Sequence, residues 1–368
     1  MTPGVERLSR KLLGAVCIAV LCVILSLGLW PFHIPKNDVT WLGNRAGLRF
    51  GRFSTAISSG ALQMTGSPNE TGSSLEIWSQ PGRIWDSGTL LAFYTPENMF
   101  QFSLRQSQRD FELQTGKTRL YVDDAFPRTG PMFATVTSGP QGTLVYIDGV
   151  LTRTAPRFRL TPNELTGWFV VGDSPGQGDS WKGQLLGLAF YRRQLTASQV
   201  LRHYETWTRS SGPEIAQDER NLALYLFDER AGNVVHDKAA SGVDLHIPDR
   251  YMVVDQILLE PFWHEFSMSW SYWGAALKNI VGFIPLGFCF YAYLSTAGIK
   301  RAAGITVLLG FLVSLTIEVL QAFLPMRDSG TSDLFTNTLG TWIGVMSYEA
   351  AGSILARVLR PEAQKTTR

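Results

Sequence analysis

The 368-residue chain has only three cysteines, Cys17, Cys22 and Cys289, and all three lie in apolar runs. The long middle of the chain therefore has no disulfide framework, and a domain there must be held by its core alone. Charge is sparse: 17% of residues are charged, the net is +2, and no Lys/Arg block or basic stripe stands out. That balance excludes nucleic acid as a partner. No E-x-D-x-x-E pattern occurs, so the paired carboxylates that flank a scissile glycosidic bond are missing. Asp123 and Asp124 are adjacent, would point to opposite faces of a strand, and read as a turn. With no Ser-His-Asp set and no metal set in view, an enzyme is the less favoured class.

What is present is a split between apolar ends and a polar middle. Leu12 to Trp30 is a 19-residue run without a charge, enough to cross a bilayer core at about 1.5 Å per residue. A cleaved signal peptide is the competing reading. The run is long for one, no small-x-small site follows, and Trp30-Pro31-Phe32 reads as an interfacial stop. Further spans are expected at 275–296, 302–324 and 333–353, giving four. Arg7, Arg10 and Lys11, then Lys300 and Arg301, then Arg357, Arg360, Lys365 and Arg368 all fall on one side of four alternating helices. The positive-inside rule makes that side the cytoplasm. The expected order is a cytoplasmic N-terminus (1–11), a first span (12–31), an extracytoplasmic β domain (36–250), an aromatic interfacial segment (255–273), a helical module (275–353) and a cytoplasmic tail (354–368). This describes a multi-pass protein of the plasma (inner) membrane, with membrane lipid as one partner.

Residues 36–250 read as many short strands, among them 74–79, 89–94, 99–104, 111–114, 120–122, 143–147 and 168–171. Gly, Pro, Asp and Asn punctuate them, as in an all-β sandwich or jelly roll. One helix is expected after Thr196, with an apolar stripe at Val200, Leu201, Tyr204 and Trp207. Gly47-Leu48-Arg49-Phe50, SLEIWSQP, YIDGVL at 146–151 and VGDSPGQGDSWKGQLLGLAFYRRQLTASQVLRHY at 171–204 together resemble the laminin-G-like, concanavalin-A-like fold. The segment 222–247 resembles the strand that opens such domains but comes last here. A jelly roll closed from its C-terminal end, with both ends close together, would accommodate insertion between two membrane helices. The resemblance implies binding of glycans or proteins, in some members with calcium. Asp173 and Asp179, in a Gly-rich loop, are the candidate calcium ligands; the alternative reading is turn formation. Trp78 and Trp168 read as core residues rather than sugar platforms.

In the apolar C-terminal region the informative residues are polar. Glu318 and Gln321 share one face of the third span, Asp333 and Asn337 open the fourth, and Asn279 lies near the start of the second. Arg327 and Asp328 sit in the intervening loop. The second and fourth spans start at the outer surface and the third ends there. The five span residues therefore sit near one extracytoplasmic boundary, capped by Arg327 and Asp328. Ionisable groups in lipid require a partner or a cavity. Either they glue helices, with Pro285, Gly340 and Gly344 shaping the packing, or they form an outward-facing polar pocket. Asn279-Ile-Val-Gly-Phe-Ile-Pro285-Leu-Gly287, Glu318-x-x-Gln321, Arg327-Asp328 and Asp333-x-x-x-Asn337-x-x-Gly340 resemble the VanZ-like family, whose name-giving member is linked to teicoplanin resistance. Residues 261–273 hold six aromatics and read as an aromatic belt, with His264 as a metal ligand or proton relay in the alternative reading. The resulting expectation is a bacterial cell-envelope protein displaying a glycan- or protein-binding jelly roll, tied to envelope polysaccharide or to a glycopeptide-antibiotic response. A scaffold for an envelope complex and an enzyme acting on a lipid-linked substrate are the alternatives.

Overall fold

The computed structural model describes residues 3–64, 72–116, 118–176, 178–209, 221–239 and 241–359. The chain forms two compact units, 34–256 and the combination of 1–33 with 257–368. Arg360, Lys365 and Arg368 lie outside the described residues, as do the side chains of Arg7, Arg357 and His264.

The first unit is a sandwich of two eight-stranded antiparallel sheets. One sheet runs β1 (Val39–Trp41), β2 (Leu48–Phe50), β13 (Gly183–Tyr191), β4 (Ser73–Pro81), β9 (Met132–Gly139), β10 (Gly142–Ile147), β11 (Val150–Ala155), with β14 (Asn221–Tyr225) also paired to β13. The other runs β15 (Val234–Val235), β16 (Leu245–His246), β3 (Ala56–Ser58), β12 (Trp168–Val171), β5 (Ser87–Thr95), β6 (Asn98–Ser107), β7 (Asp110–Thr115), β8 (Thr118–Val122). Alternation decides the layers. Leu75 and Ile77, Phe93, Phe102 and Leu104, and Phe111 and Leu113 turn inward into one aromatic-rich core. Their neighbours Glu76 and Trp78 face the other way, beneath helix α2 (Ala197–Arg209).

Helix α2 buries Val200, His203 and Trp207, whereas Leu201 is 48% exposed. The inward stripe therefore passes through a histidine and leaves a leucine in solvent. Polar neighbours explain the choice. Glu76, fully buried on β4, offers one carboxylate oxygen to His203 Nδ1 at 2.9 Å and the other to the Tyr191 hydroxyl at 2.7 Å and Trp207 Nε1 at 3.3 Å.

The ends of this domain meet. Pro35 O accepts from Tyr251 N at 3.0 Å, Asp249 O accepts from Asn37 N at 3.2 Å, and Asn37 Nδ2 also donates to Pro248 O at 2.9 Å. The late segment closes the sandwich at two places, with β14 against β13 and β16 against β3.

The second unit contains α1 (Pro3–Leu29), a single turn α3 (Phe262–Glu265), α4 (Trp270–Thr296), α5 (Ala302–Gln321) and α6 (Thr331–Leu359). Among the described residues three helices are long and apolar enough to cross a membrane: 10–29 in α1, 272–296 in α4 and 302–321 in α5. The expected count of four is corrected to three by this criterion. Helix α6 is a continuous 29-residue helix, but Asp333, Thr336, Asn337, Thr338, Thr341, Ser347 and Glu349 dilute its apolarity. Asn337 and Thr341 are buried, and most of the set has its polar atoms bonded. Thr336, Thr338, Thr341 and Ser347 bond carbonyls of their own helix, and Asn337 bonds Ser314 on α5 at 2.9 Å.

Helices α4 and α6 run parallel and nearly in contact. A Cβ on Gly340 would stand 2.2 Å from Ile280 O, and one on Gly344 would stand 2.2 Å from Ile284 O. On the facing helix a Cβ on Gly287 would stand 2.0 Å from Thr341 O. Pro285 lies inside α4, in this same stretch. Helix α1 packs through Ile24 on Phe283, Leu286 and Ile317.

Candidate functional site

The β domain and the helical unit each gather polar side chains, and the two sets differ in character.

On the β domain, the residues of β12, β5, β6, β7 and β8 that point away from the core form a ladder across the second sheet. Cross-strand register places Ala92 beside Ser103, Ser103 beside Gln114, and Gln114 beside Arg119. One row over, Arg105 pairs with Glu112 and Glu112 with Tyr121. Of these, Ala92, Ser103, Arg105, Gln114 and Arg119 floor a groove of about 390 Å³, bordered by Phe100 on one side and by Ser174, Pro175, Gly178 and Asp179 on the other. A second hollow, lined by Asn98, Gln101, Thr115, Gly116, Asn163 and Glu164, uses neighbouring positions of the same strands, Gln101 beside Ser103 on β6 and Thr115 beside Gln114 on β7. Phe100 is 46% exposed and Tyr121 38%. Trp168 is also 38% exposed on this face, paired with Tyr94. The core reading therefore fails for Trp168, whereas Trp78 packs partly buried under α2.

The Gly-rich loop that walls the groove is pinned from within. Asp173 is 1% exposed, and its Oδ1 accepts the backbone N–H groups of Ser174 at 2.9 Å and Asp179 at 2.7 Å. Burial pushes the Asp173 carboxyl up to about 7, against the pull of those N–H groups. Asp179 Oδ2 is engaged by the Thr89 hydroxyl at 2.7 Å and by Arg105 Nη2 at 2.9 Å. The half-buried Asp179 carboxylate is thus already paired with an arginine. Among the described residues no three His, Cys, Asp or Glu side chains are placed to hold a metal. Asp123 and Asp124 lie in a turn, with Asp124 ion-paired to Arg109.

In the helical unit the loop 325–330 is stitched down on every side. Glu318, 1% exposed on α5, accepts from Gly330 N at 2.9 Å. Glu260 forms a backbone bridge to the same loop, accepting from Thr331 N at 2.9 Å and donating to Ser329 O at 2.8 Å. Glu265 caps the start of α6 by accepting from Ser332 N at 2.9 Å. Arg327 donates to Trp30 O at 2.9 and 2.5 Å, and Gln321 Nε2 donates to Gly28 O at 2.8 Å, so both hold the end of α1. Asn279 hydrogen-bonds Asp333, and Arg327 and Asp328 lie within electrostatic reach of it. Asn337, 4% exposed, sits one turn deeper against Ser314.

Glu260 and Glu265 were not singled out as members of this set. Glu265 lies among six aromatics and reads as part of a belt, and the signal that reveals it is the cap on α6. Those aromatics are largely exposed: Trp270 93%, Trp263 64%, Phe266 51%, Trp273 51% and Phe262 47%.

Residues 216–354 match the family described as VanZ/LLP1, and residues 55–201 match the concanavalin A-like lectin/glucanases superfamily. No curated protein matches the chain. Similar solved structures include a proposed carbohydrate binding protein from Bacteroides ovatus, with 15% identity and a TM-score of 0.41 over 55% of this chain and 57% of that one. The receptor binding domain of a botulinum neurotoxin C/D mosaic serotype gives 13%, 0.35, 46% and 45%. A SAP-like pentraxin from Limulus polyphemus gives 14%, 0.36, 58% and 94%. The chain thus spans 57% and 45% of the first two structures, less than two thirds of either.

Proposed function

We propose that this chain, which joins a VanZ/LLP1 region to a concanavalin A-like domain, is a membrane-held glycan receptor of the bacterial cell envelope. The observation that carries the reading is the groove on the second sheet. Hydroxyl, amide and guanidinium groups from three consecutive strands (Ser103, Gln114, Arg119) line its floor, with an exposed Phe100 at its rim and an exposed Trp168 on the same face. Sugars present alternating hydroxyl edges and C–H faces. A floor of hydrogen-bonding groups beside aromatic surface matches both.

Orientation follows from charge. Arg10 and Lys11 precede the apolar part of α1, and Lys300 and Arg301 join α4 to α5. With these ends in the cytoplasm, the β domain and the loop 325–330 face the outside. The exposed aromatics of 262–273 then lie at the outer interface, where rings with polar edges are favoured. In this reading the Glu318 cluster clamps α1, α5 and α6 at the outer boundary rather than performing chemistry.

The test is glycan-array binding of the full-length protein in lipid nanodiscs, repeated with Gln114→Ala/Arg119→Ala. Wild type should bind a defined glycan subset, and the variant should lose about tenfold or more in affinity. An array without signal, or a variant that binds undiminished, refutes the assignment.

A further inference from the structure

Beside the groove lies a strip of positive charge that the glycan reading does not use. Strand β11 is the free edge of the first sheet, and five of its six residues are exposed. It carries Arg153, then enters a tight turn closed by Phe158 N on Ala155 O at 3.2 Å. Arg157 and Arg159 flank Phe158 in that turn. Both are exposed, whereas Phe158 and Leu160 are buried at 4% and 1%. The buried pair fixes the backbone. Phe158 O accepts from the Thr143 hydroxyl at 2.9 Å, and Leu160 N donates to Ser138 Oγ at 2.9 Å.

From Gly149 to Asn163 there is no acidic residue. Among the described residues Arg153, Arg157 and Arg159 make no ion pair or hydrogen bond. The acids that flank this stretch are both engaged elsewhere: Asp148 accepts from Phe133 N at 3.0 Å, and Glu164 from Thr161 N at 2.8 Å. Three guanidinium groups therefore stand in solvent on a rigid edge without a counter-charge.

The edge adjoins the groove. Residues 162–165, separated from Arg159 by two residues, form a 3-10 turn whose Asn163 and Glu164 wall the second hollow. Gln101 on β6 ties this turn to the sheet, donating to Asn163 O at 2.7 Å and Thr166 O at 2.5 Å. Arg119, on the groove floor, emerges beside the Gly116 turn that lines the same hollow. A chain of sugars leaving the groove past Gln101 therefore reaches the arginine edge.

We infer that the ligand is an acidic polysaccharide, a polymer with a carboxylate on its repeating sugar, seated in the groove and continuing across Arg153, Arg157 and Arg159. Guanidinium is suited to this task because its planar fork matches a carboxylate with two parallel hydrogen bonds. Unpaired arginines also need no prior ion pair broken before binding. The inference rests on the groove being a glycan site, and the experiment separates the two claims.

Full-length protein in phosphatidylcholine nanodiscs is titrated with polygalacturonate and with its methyl-esterified form, which keeps the backbone and removes the charge. Wild type should bind the acid about tenfold or more tightly than the ester, with affinity falling as salt rises. Arg153→Gln/Arg157→Gln/Arg159→Gln should lose about tenfold for the acid and most of the salt dependence, with little change for the ester. Equal binding of acid and ester, unaffected by the triple variant, overturns the inference and leaves the groove a neutral-glycan site. Failure of wild type to bind either polymer, with a neutral glycan bound on the array, overturns it likewise. Failure on every glycan removes both claims.

Discussion

Truncating Glu76 to alanine is the most direct probe of how the sandwich holds its helix. The carboxylate is fully buried and receives four side chains that converge from elsewhere in the sequence: Tyr191 at 2.7 Å, His203 at 2.9 Å, Trp207 at 3.3 Å and Thr135 at 3.4 Å. Two of these lie on α2. Removing the shared acceptor leaves polar groups in a layer lined by Phe133, Tyr146 and Leu195. Breaking one member of a buried charged network costs about 3–5 kcal/mol. The loss should fall first on α2, because the helix is joined to the sheet through this cluster. Hydrogen exchange on the full-length protein should therefore show α2 amides losing about 100-fold or more in protection, while β5 and β6 lose far less. Glu76→Gln keeps an oxygen for Tyr191 and should cost about 1–2 kcal/mol. A change in α2 protection below about threefold in Glu76→Ala would refute the argument, and apolar packing of Val200 and Trp207 would then suffice to hold the helix.

Two further predictions concern other parts of the chain. Asp173 titrates near 7 when folded and near 4 when unfolded, so the folded domain holds a proton in that window that the unfolded chain has released. Stability of the β domain should then decline as pH rises from about 4 to 7 and level off above, by about 2–4 kcal/mol at most. Asp173→Asn should flatten this slope in denaturation curves taken across the range, and an unchanged slope would exclude Asp173 as its source. In the helical unit, Gly344→Ala puts a methyl group 2.2 Å from Ile284 O, forcing α4 and α6 apart at a cost of about 1–3 kcal/mol. Gly282→Ala, with open space around it, is the control, and a thermal shift equal in the two variants would show that this contact does not limit stability.

The strand pattern was readable because its cause is local. Period-two alternation in SLEIWS or MFQFSL reflects one face on a core, and turn residues mark the ends. The helix after Thr196 was equally visible, but not its inward face. Leu201 is the better hydrophobe and His203 the worse, and the order is reversed only by Glu76, 127 residues away. No window of sequence contains that information. Trp168 was misplaced for a related reason: a tryptophan in a short apolar strand looks like core, and only its parity against Phe169 and Val171 turns it outward. The polar residues of the helical unit stood out against apolar surroundings. Their partners Glu260 and Ser329 did not, because backbone bridges leave no mark in composition. The fourth apolar run was over-read because its length masked how far Asp333, Asn337, Thr341 and their polar neighbours dilute it.

The paired ends of the β domain have a mechanical consequence. Tension applied at residues 34 and 256 would be taken up by the short backbone ladder joining Pro35 and Asn37 to Asp249 and Tyr251, and by the Asn37 side chain. Because Pro35 and Asn37 pair with Tyr251 and Asp249, the described strands between them sit outside the load path. A ligand dragging on the far face would tilt the sandwich as a rigid flag about this clasp before it could pull a strand from either sheet.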